Sequence, residues 1–376
     1  MSNRRRGLDF RSILLGAAAG AGAAVAYSKL VVKDEFPGQG RVNRALDKLY
    51  RQSLGAGKLR LQPGQRYVIF SDHHKGARNL ADDFQQCEQT YLAAVDHYYE
   101  QGFSLILLGD AEELQEEWAP QVLDSYSQVL LSEARFHPGR MIRMPGNHDG
   151  AWFYLHLVEK YMQPFFPGLE YRPGLILEYV DGKETSGDIF LAHGHQGTLE
   201  SDLFVFLADW ALPFYRKFQI LTQTGRNSPS QDACLRSMHD NRMYRWISGK
   251  RKRILIAGHT HRPVWSSRTH VDKLTAQLYE LLQTPEAQRP ADFQEQVTRL
   301  KQEIDVRKEK SPPCQDTIKT SPCYFNTGCC RFIDGDITGI EIEDGVMRLI
   351  KWGAGESGMA RTVLEQAPLS EIFIAL

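Results

Sequence analysis

The sequence reads Met-Ile-Arg-Met-Pro-Gly-Asn-His-Asp at residues 141–149. The apolar start of this stretch predicts a short strand, so Asn147, His148 and Asp149 lie where a loop opens at the strand end. An amide oxygen is a neutral, hard metal ligand, and an imidazole can take or deliver a proton near neutral pH. Metal-assisted attack on a phosphorus or carbonyl centre needs both groups side by side. Taken alone, the stretch is more typical of a polar turn than of a metal site. The rest of the chain decides between these two interpretations.

Candidate metal ligands also follow four other predicted strands, which end at Phe70, Leu108, Ala192 and Ala257. With Asn147, the full set of candidates is Asp72, His74, Asp110, Asn147, His193, His259 and His261. Because the carboxyl ends of parallel strands share one edge of a sheet, residues this far apart in sequence can meet in space. Five such groups in this order, each at a strand end, are hard to produce by chance.

The chemistry of these side chains predicts which ions they bind and how many. Carboxylate, imidazole and amide ligands together suit manganese, iron, zinc or cobalt better than calcium. Seven ligands are too many for one tetrahedral site but fit two divalent ions that share a carboxylate. Asp110 is the expected bridge, because it lies alone between the paired motifs and can use both oxygens.

The order of the predicted elements indicates an α/β fold. Strands at Arg66–Phe70, Ser104–Leu108 and Met141–Met144 alternate with helical patterns, one of them at Ala81–Gln101, which predicts βαβ units and a mostly parallel sheet. The second half is richer in strand pairs, including a hairpin at Gly345, and predicts a second, mixed sheet packed on the first.

The chain is predicted to have three parts. Residues 1–35 carry arginines, then an apolar run rich in Gly and Ala, and are either a membrane anchor or an export signal. A buried helix of the fold is the alternative. Residues 36–64 are expected to be a linker with one short helix, and residues 65–376 the catalytic domain. The chain is therefore expected to be membrane-associated or exported, with the side of the membrane and the oligomeric state left open.

Two helical insertions are expected within this domain, at about 200–250 and 268–312. The first contains the apolar stretch Leu203–Leu221, either a cover over the site or an ordinary core helix. The second contains two amphipathic helices, at Val271–Leu282 and Phe293–Ile304. The net charge of −1, from 45 basic and 46 acidic residues, creates no overall field that would attract nucleic acid, and no such partner is expected.

The series of motifs resembles that of the calcineurin-like metallophosphoesterases. The motifs are Asp72-x-His74, Gly109-Asp110-x-x-Glu113, Gly146-Asn147-His148-Asp149, His193-Gly194-His195 and Gly258-His259-Thr260-His261. The resemblance covers roughly residues 66–265. It implies a four-layer α-β-β-α sandwich of two mixed sheets, with helical insertions, which agrees with the two sheets predicted from the order of the strands.

The resemblance also implies a dinuclear site and a mechanism. One ion would be held by Asp72, His74, Asp110 and His261, and the other by Asp110, Asn147, His193 and His259. Two ions, manganese foremost, would clamp phosphate oxygens and acidify a bridging water that attacks phosphorus in line. His148 would protonate the leaving oxygen, with Asp149 orienting it. Either His73, Lys75 and Arg78 meet the phosphate, or they are solvated loop residues.

Within the family, the sequence is most similar in appearance to UDP-2,3-diacylglucosamine hydrolases. Glu113 fits their Gly-Asp-x-x-Glu, and the apolar stretch 203–221 lies where they carry a lipid-covering cap. His148 departs from the pattern, since many of those enzymes have Arg there. The expected substrate is therefore a phosphorylated small molecule or a lipid-linked or nucleotide pyrophosphate. The alternatives are a phosphomonoesterase or Ser/Thr phosphoprotein phosphatase, and a non-catalytic scaffold.

Overall fold

The structure is a computed structural model that describes residues 38–62, 64–79, 82–182, 184–197, 233–285, 288–309, 319–356 and 358–376. The predicted anchor or export signal at 1–35 and the apolar stretch Leu203–Leu221 lie outside the described residues. Within the described ranges, no helix is both long enough and apolar enough to cross a membrane.

Eleven strands of the described chain form two mixed sheets. In chain order they are β1 (Leu59–Leu61), β2 (Arg66–Phe70), β3 (Ser104–Leu108), β4 (Met141–Met144), β5 (Leu175–Asp181), β6 (Glu184–Leu191), β7 (Arg253–Ala257), β8 (Tyr324–Asn326), β9 (Ile337–Glu343), β10 (Val346–Gly355) and β11 (Gly358–Pro368). One sheet has the order β1-β5-β6-β7-β8, and the other has the order β11-β10-β9-β2-β3-β4. Strands β2, β3 and β4 are parallel, as are β6, β7 and β8, while β9, β10 and β11 are antiparallel.

The helices of the described residues are α1 (Gln39–Gly55), α2 (Glu88–Glu100), α3 (Ala119–Ser125), α4 (Ser127–Ala134), α5 (Leu155–Tyr161), α6 (Ala233–Ile247), α7 (His270–Gln283), α8 (Phe293–Glu309) and α9 (Leu369–Ile374). Six of them cover the outer faces of the two sheets. The first sheet is covered by α1 and α6, and the second by α2 to α5.

Alternating apolar side chains of the strands assemble these layers. In β2, Ile69 packs between the two sheets, whereas Val68 and Phe70 face the helices. In the other sheet, Leu255 of β7 packs against α1 and α6, while its neighbours contribute to the layer between the sheets. A strand with apolar residues on both faces is one that is covered on both sides. The four-layer α-β-β-α sandwich predicted from the sequence is confirmed.

Residues 38–62, which fall in the segment 36–64 expected to be a linker, are instead part of the fold. The helix α1 is 17 residues long, and its Val42 and Leu46 are fully buried against the first sheet. After it, β1 pairs in parallel with β5, with Leu59 opposite Leu177. Gly38, Gly40, Gly55 and Gly57 fall at the two ends of this helix and just after it, so they mark its boundaries rather than a linker.

The helix predicted at Ala81–Gln101 begins later, at Glu88. The Asp82 carboxylate accepts hydrogen bonds from the backbone N–H of Arg78 (2.8 Å) and from the hydroxyl of Tyr126 (2.7 Å). These contacts hold the residues before Cys87 in turns. An Asp that bonds to nearby backbone groups competes with helix formation.

The pair of helices predicted in the second insertion is present as α7 and α8. Thr269 and Asp272 form a reciprocal capping box that starts α7. The two helices bury Leu274, Phe293 and Val297, the apolar positions of their predicted faces. The hairpin predicted at Gly345 is confirmed between β9 and β10, where both Asp344 and Gly345 have positive φ.

Candidate metal centre

Both sheets contribute side chains to one site at the carboxyl ends of their parallel strands. Loops after β2, β3 and β4 carry the first four predicted ligands, and loops after β6 and β7 carry the other three. The loops are joined across the sheets, since the backbone N–H of His259 donates to the Asp72 carboxylate at 2.9 Å. The structure therefore brings both halves of the predicted site together.

Six of the seven predicted ligands and His148 form three overlapping clusters. Within each cluster, one ligand atom per residue lies within 4.8 Å of the others. The clusters are Asp72, His74 and His261; His74, Asp110 and His148; and Asp110, His193 and His259. Asp110 belongs to two of them, because its Oδ2 is 3.1 Å from His193 Nε2 and 3.7 Å from His74 Nε2. This position agrees with the bridging role predicted for Asp110.

Two polar atoms of the site are buried without a hydrogen-bond partner. They are Oδ1 of Asn147 and Nε2 of His259. Leaving a buried polar atom unpaired costs about 1–3 kcal/mol, so such atoms usually have a ligand or another function. Both are atoms that a metal ion would accept as ligands, and the donor set therefore fits divalent ions.

Hydrogen bonds from the far ring nitrogens leave the near nitrogens free to bind a metal. Nδ1 of His193 is 2.8 Å from the carbonyl oxygen of Leu108, which can only accept, so this nitrogen carries the proton. Nδ1 of His74 likewise donates to the Glu113 carboxylate at 3.0 Å. Metal-binding histidines are generally oriented by such bonds. The arrangement leaves Nε2 of His74 facing Nε2 of His261 at 3.1 Å.

Buried negative charge makes the site attractive to cations. Burial alone would raise the pKa of Asp110, but the imidazoles of His193, His148 and His74 hold it well below its usual value. Burial would lower the pKa of His193, but the Asp110 carboxylate raises it to about 9. The pKa of Asp72 is also lowered, by His261 and His193. Two charged carboxylates in the interior require nearby positive charge, which divalent ions would supply.

The backbone at the site is in an uncommon conformation. Five of the predicted ligands have positive φ, between 52° and 68°: Asp72, His74, Asp110, His259 and His261. Residues other than glycine rarely adopt this conformation, which costs about 1–3 kcal/mol each and persists where the surroundings enforce it. The ligands are also closely packed. A Cβ at Gly146 would collide with the carboxylate of Asp110, and a Cβ at Gly258 would collide with that of Asp72. The motif glycines therefore make room for the ligands.

The carboxylate that orients His148 is Glu113, not Asp149. Oε2 of Glu113 accepts from Nδ1 of His148 at 2.7 Å and from Nδ1 of His74 at 3.0 Å. Burial would raise the pKa of Glu113, but these two imidazoles hold it well below its usual value. Asp149 accepts instead from the backbone N–H groups of Ala111 (2.9 Å) and Gly146 (2.5 Å). Asp149 therefore fixes the loops after β3 and β4, and the orienting role predicted for it belongs to Glu113.

His73, Lys75 and Arg78, the three loop residues considered as phosphate contacts, are either buried or bonded to carboxylates. Lys75 is fully buried and bonded to Glu133 at 2.9 Å, and His73 is fully buried against aromatic rings. Arg78 makes two hydrogen bonds to Glu88. The alternative interpretation, that these are solvated loop residues, is therefore wrong for His73 and Lys75. Lys75 belongs to a charge-balanced network beneath the site, completed by Glu112, Glu133 and Arg143.

We expect Glu113→Gln to lower kcat by about 10- to 100-fold, the usual loss when a supporting hydrogen-bond partner is altered. The amide keeps an acceptor but loses the charge that stabilises a protonated His148. Steady-state kinetics on the metal-loaded protein measures the loss. Glu117→Gln is the matched control, because Glu117 is in the same loop but bonds to Asn79. Unchanged kcat in the Glu113 variant would show that it does not orient the imidazole.

Sequence reasoning missed some of the residues that support the site. The Gly-Asp-x-x-Glu motif contained Glu113, but nothing in its spacing showed which imidazole it would contact. His239 and Asp240 of α6 also contact the ligand loops, and no sequence motif marks them. His195, the last residue of the His-Gly-His motif, lies beside the ligands; its ring centroid is 5.3 Å from that of His193, and burial lowers its pKa to about 3.

A four-layer sandwich with aspartate and histidine clusters at its strand ends defines a protein of the metallophosphoesterase class. The chain belongs to the calcineurin-like phosphoesterases, because the model of that family matches residues 65–263, more than half of its length. The resemblance in the motifs is thereby confirmed at the level of the family. A comparison with curated proteins finds none with significant sequence similarity.

Two solved structures are similar to the chain at low sequence identity. Vacuolar protein sorting 29 from Cryptosporidium parvum is 10% identical with a TM-score of 0.30, and the match covers 82% of this chain and 100% of that one. A single mutant of Vps29 from Entamoeba histolytica is 11% identical with a TM-score of 0.28, with 80% and 100% covered.

Proposed function

We propose that this chain is a metal-dependent phosphoric ester hydrolase that cleaves a phosphoester or pyrophosphate bond, with His148 as the general acid. The substrate proposed is lipid-linked or a nucleotide pyrophosphate. Two divalent ions, manganese foremost, would be held by the two predicted sets of ligands that share Asp110. The alternative without catalysis, a scaffold on the same fold, would not require the ligands to be kept.

One observation carries this proposal. Side chains from five loops and two sheets converge so that Asp110 lies between two clusters, each with ligand atoms within 4.8 Å of one another. The unpaired, buried atoms of Asn147 and His259 belong to the same site. When bound, two divalent ions there would supply charge to phosphate oxygens and acidity to an attacking water.

The chain itself supplies the proton for the leaving group. Nδ1 of His148 donates to Glu113 at 2.7 Å, so the proton available for transfer is on Nε2. The His148 side chain is 19% exposed, which leaves it accessible to a substrate, while the carboxylate of Glu113 stabilises the protonated ring. A positioned acid of this kind contributes typically about 10²- to 10⁴-fold to rate.

Exposed apolar side chains near the site support a substrate that carries acyl chains. Trp118 is 60% exposed, Phe153 43% and Leu155 66%. Trp118 lies in the loop after β3, whereas Phe153 ends a short 3-10 helix after β4 and Leu155 begins α5. The segments after β3 and β4 are bonded together where Leu114 N–H donates to the carbonyl of His148 at 3.0 Å. Exposed large apolar residues grouped beside a polar site often mark binding surfaces. Residues 1–35, if they anchor the chain as predicted, would keep this site near a membrane.

A substrate panel with the manganese-loaded full-length protein tests the proposal. The panel comprises an aryl phosphate monoester, a bis-aryl diester, and a nucleotide pyrophosphate with and without two acyl chains. We expect hydrolysis of the aryl esters and the highest kcat/KM for the acylated pyrophosphate. A monoester preferred over all others, with no effect of acylation, would favour the phosphomonoesterase or phosphoprotein phosphatase. Absence of hydrolysis by protein that holds two ions would favour the scaffold.

A matched pair of leucine variants tests the apolar contribution. Leu155→Ser should raise KM for the acylated substrate while leaving the non-acylated one unchanged, because burying a leucine is worth about 1.5–3 kcal/mol. Leu131→Ser is the control, since Leu131 is 51% exposed but lies on α4. Equal KM values in both variants would contradict a role for Leu155 in acyl binding.

A further inference from the structure

Two consecutive residues of α6, His239 and Asp240, contact the two loops that carry three of the predicted metal ligands. Both side chains are buried, with Asp240 fully so. Nε2 of His239 donates to the carbonyl oxygen of Gly194 at 2.6 Å. Gly194 directly follows the predicted ligand His193. The His239 ring centroid is 4.9 Å from that of His259. Helix α6 thus reaches the loop after β6 and the loop after β7 at the same time.

Asp240 holds the loop after β7 through both of its oxygens. Oδ1 accepts from the hydroxyls of Thr260 (3.1 Å) and Tyr324 (2.8 Å). Oδ2 accepts from Nε (3.2 Å) and Nη2 (2.5 Å) of Arg262. Thr260 lies between the two ligands of this loop, and Arg262 follows the second. A buried carboxylate with four donors is fully satisfied, and removing it would leave the partly buried guanidinium of Arg262 without its charge partner.

This loop needs external support because of its backbone conformation. His259 and His261 have φ values of 68° and 55°. Without surroundings that enforce these angles, the loop would relax toward common conformations and withdraw both imidazoles. Asn326 supports the same loop from β8, by donating to the carbonyl oxygen of Gly258 at 2.6 Å. Asp240 is the charged part of this support and the part that α6 supplies.

We propose that His239 and Asp240 are positioning residues for the metal centre, holding the loops of His193, His259 and His261 in their ligating geometry. The inference rests on the metal site of the proposed function. It assigns to α6, which lies in the first predicted insertion, the task of maintaining metal affinity. Supporting groups of this kind are typically worth about 10- to 100-fold in metal affinity.

The test is the binding of cobalt(II) to the full-length, chelator-stripped protein, followed by its absorption spectrum and by competition with a chromophoric chelator. Asp240→Asn is expected to weaken binding about 10- to 100-fold. Asp47→Asn is the matched control, because Asp47 also anchors α6, accepting from Trp246 Nε1 and Lys250 Nζ at 3.0 Å. The control removes a contact between α1 and α6 and should bind cobalt with wild-type affinity.

A second pair of variants keeps the test decisive if Asp240→Asn does not fold. His239→Leu removes the donor to Gly194 and should weaken cobalt binding, whereas His239→Gln retains a donor and should restore it. Wild-type affinity in both Asp240→Asn and His239→Leu would overturn the inference. Wild-type protein that binds no cobalt would instead overturn the proposed metal site, so the two failures are distinguishable.

Discussion

His148→Ala is expected to lower kcat by about 10²- to 10⁴-fold for a substrate with a poor leaving group, with both metal ions retained. The imidazole is held by Glu113 through Nδ1 at 2.7 Å, and its side chain is 19% exposed. Its loss removes the proton donor but none of the seven predicted ligands. The effect should therefore appear in the chemical step rather than in metal content.

The leaving group separates a lost acid from a damaged site. With 4-nitrophenyl phosphate the departing phenolate needs little protonation, so the variant should lose much less activity than with phenyl phosphate. Both substrates are measured at saturation, together with the metal content of the same samples. Full turnover of phenyl phosphate, or an equal loss on both substrates, would show that His148 is not the general acid.

Asp110→Asn is expected to have the larger effect, lowering kcat/KM by more than the 10²- to 10⁴-fold or so that a lost acid accounts for. Asp110 Oδ2 lies 3.1 Å from His193 Nε2 and 3.7 Å from His74 Nε2, between the two clusters. Its Oδ1 accepts from the backbone N–H of His148 at 2.8 Å. An amide oxygen could keep that hydrogen bond, but the negative charge shared between the clusters would be gone.

The variant should consequently retain at most one divalent ion, as measured by elemental analysis after gel filtration. Asp188→Asn is a suitable control, because Asp188 is also an aspartate in an ion pair, with Lys58 at 2.8 Å, but it lies on β6 outside the clusters. The control should keep both ions and its activity. Two ions and substantial turnover in Asp110→Asn would exclude Asp110 as the bridge.

The positions of the metal-ligand motifs at strand ends could be predicted from the sequence, for a physical reason. Each ligand motif is short and follows a strand whose apolar residues are contiguous, as at Arg66–Phe70 before Asp72 and Ser104–Leu108 before Asp110. Strand ends could therefore be located from local pattern alone, and the parallel pairing of β2, β3 and β4 places them together. The family and the two-sheet sandwich followed from the same motifs.

The supporting partners could not be predicted, because they depend on contacts between distant parts of the chain. Glu113 meets His148 across 35 positions, and Asp240 meets Tyr324 across 84. The family resemblance implied that Asp149 orients His148, yet in the structure Asp149 accepts from backbone N–H groups. Adjacent side chains point in different directions where a loop turns, so sequence neighbours are poor guides to partners.

The sequence patterns did not predict two strands of the structure, β1 and β11, and the reasons differ. The strand β1 has only three residues and joins the sheet through β5, more than 110 positions away, so its own sequence carries almost no strand pattern. The strand β11 is 11 residues long but mostly exposed, and it lacks the apolar alternation that marks a half-buried strand. Its pairing with β10 is set by the hairpin, not by burial.

The number of divalent ions bound per chain tests the central claim most directly. Full-length protein stripped with a chelator, reloaded with manganese and freed of excess metal should contain two ions per chain by elemental analysis. Saturating metal, at about 100 times its dissociation constant, should also stabilise the fold by about 2.7 kcal/mol for each site. Folded protein that takes up no manganese, zinc, iron or cobalt would contradict the account.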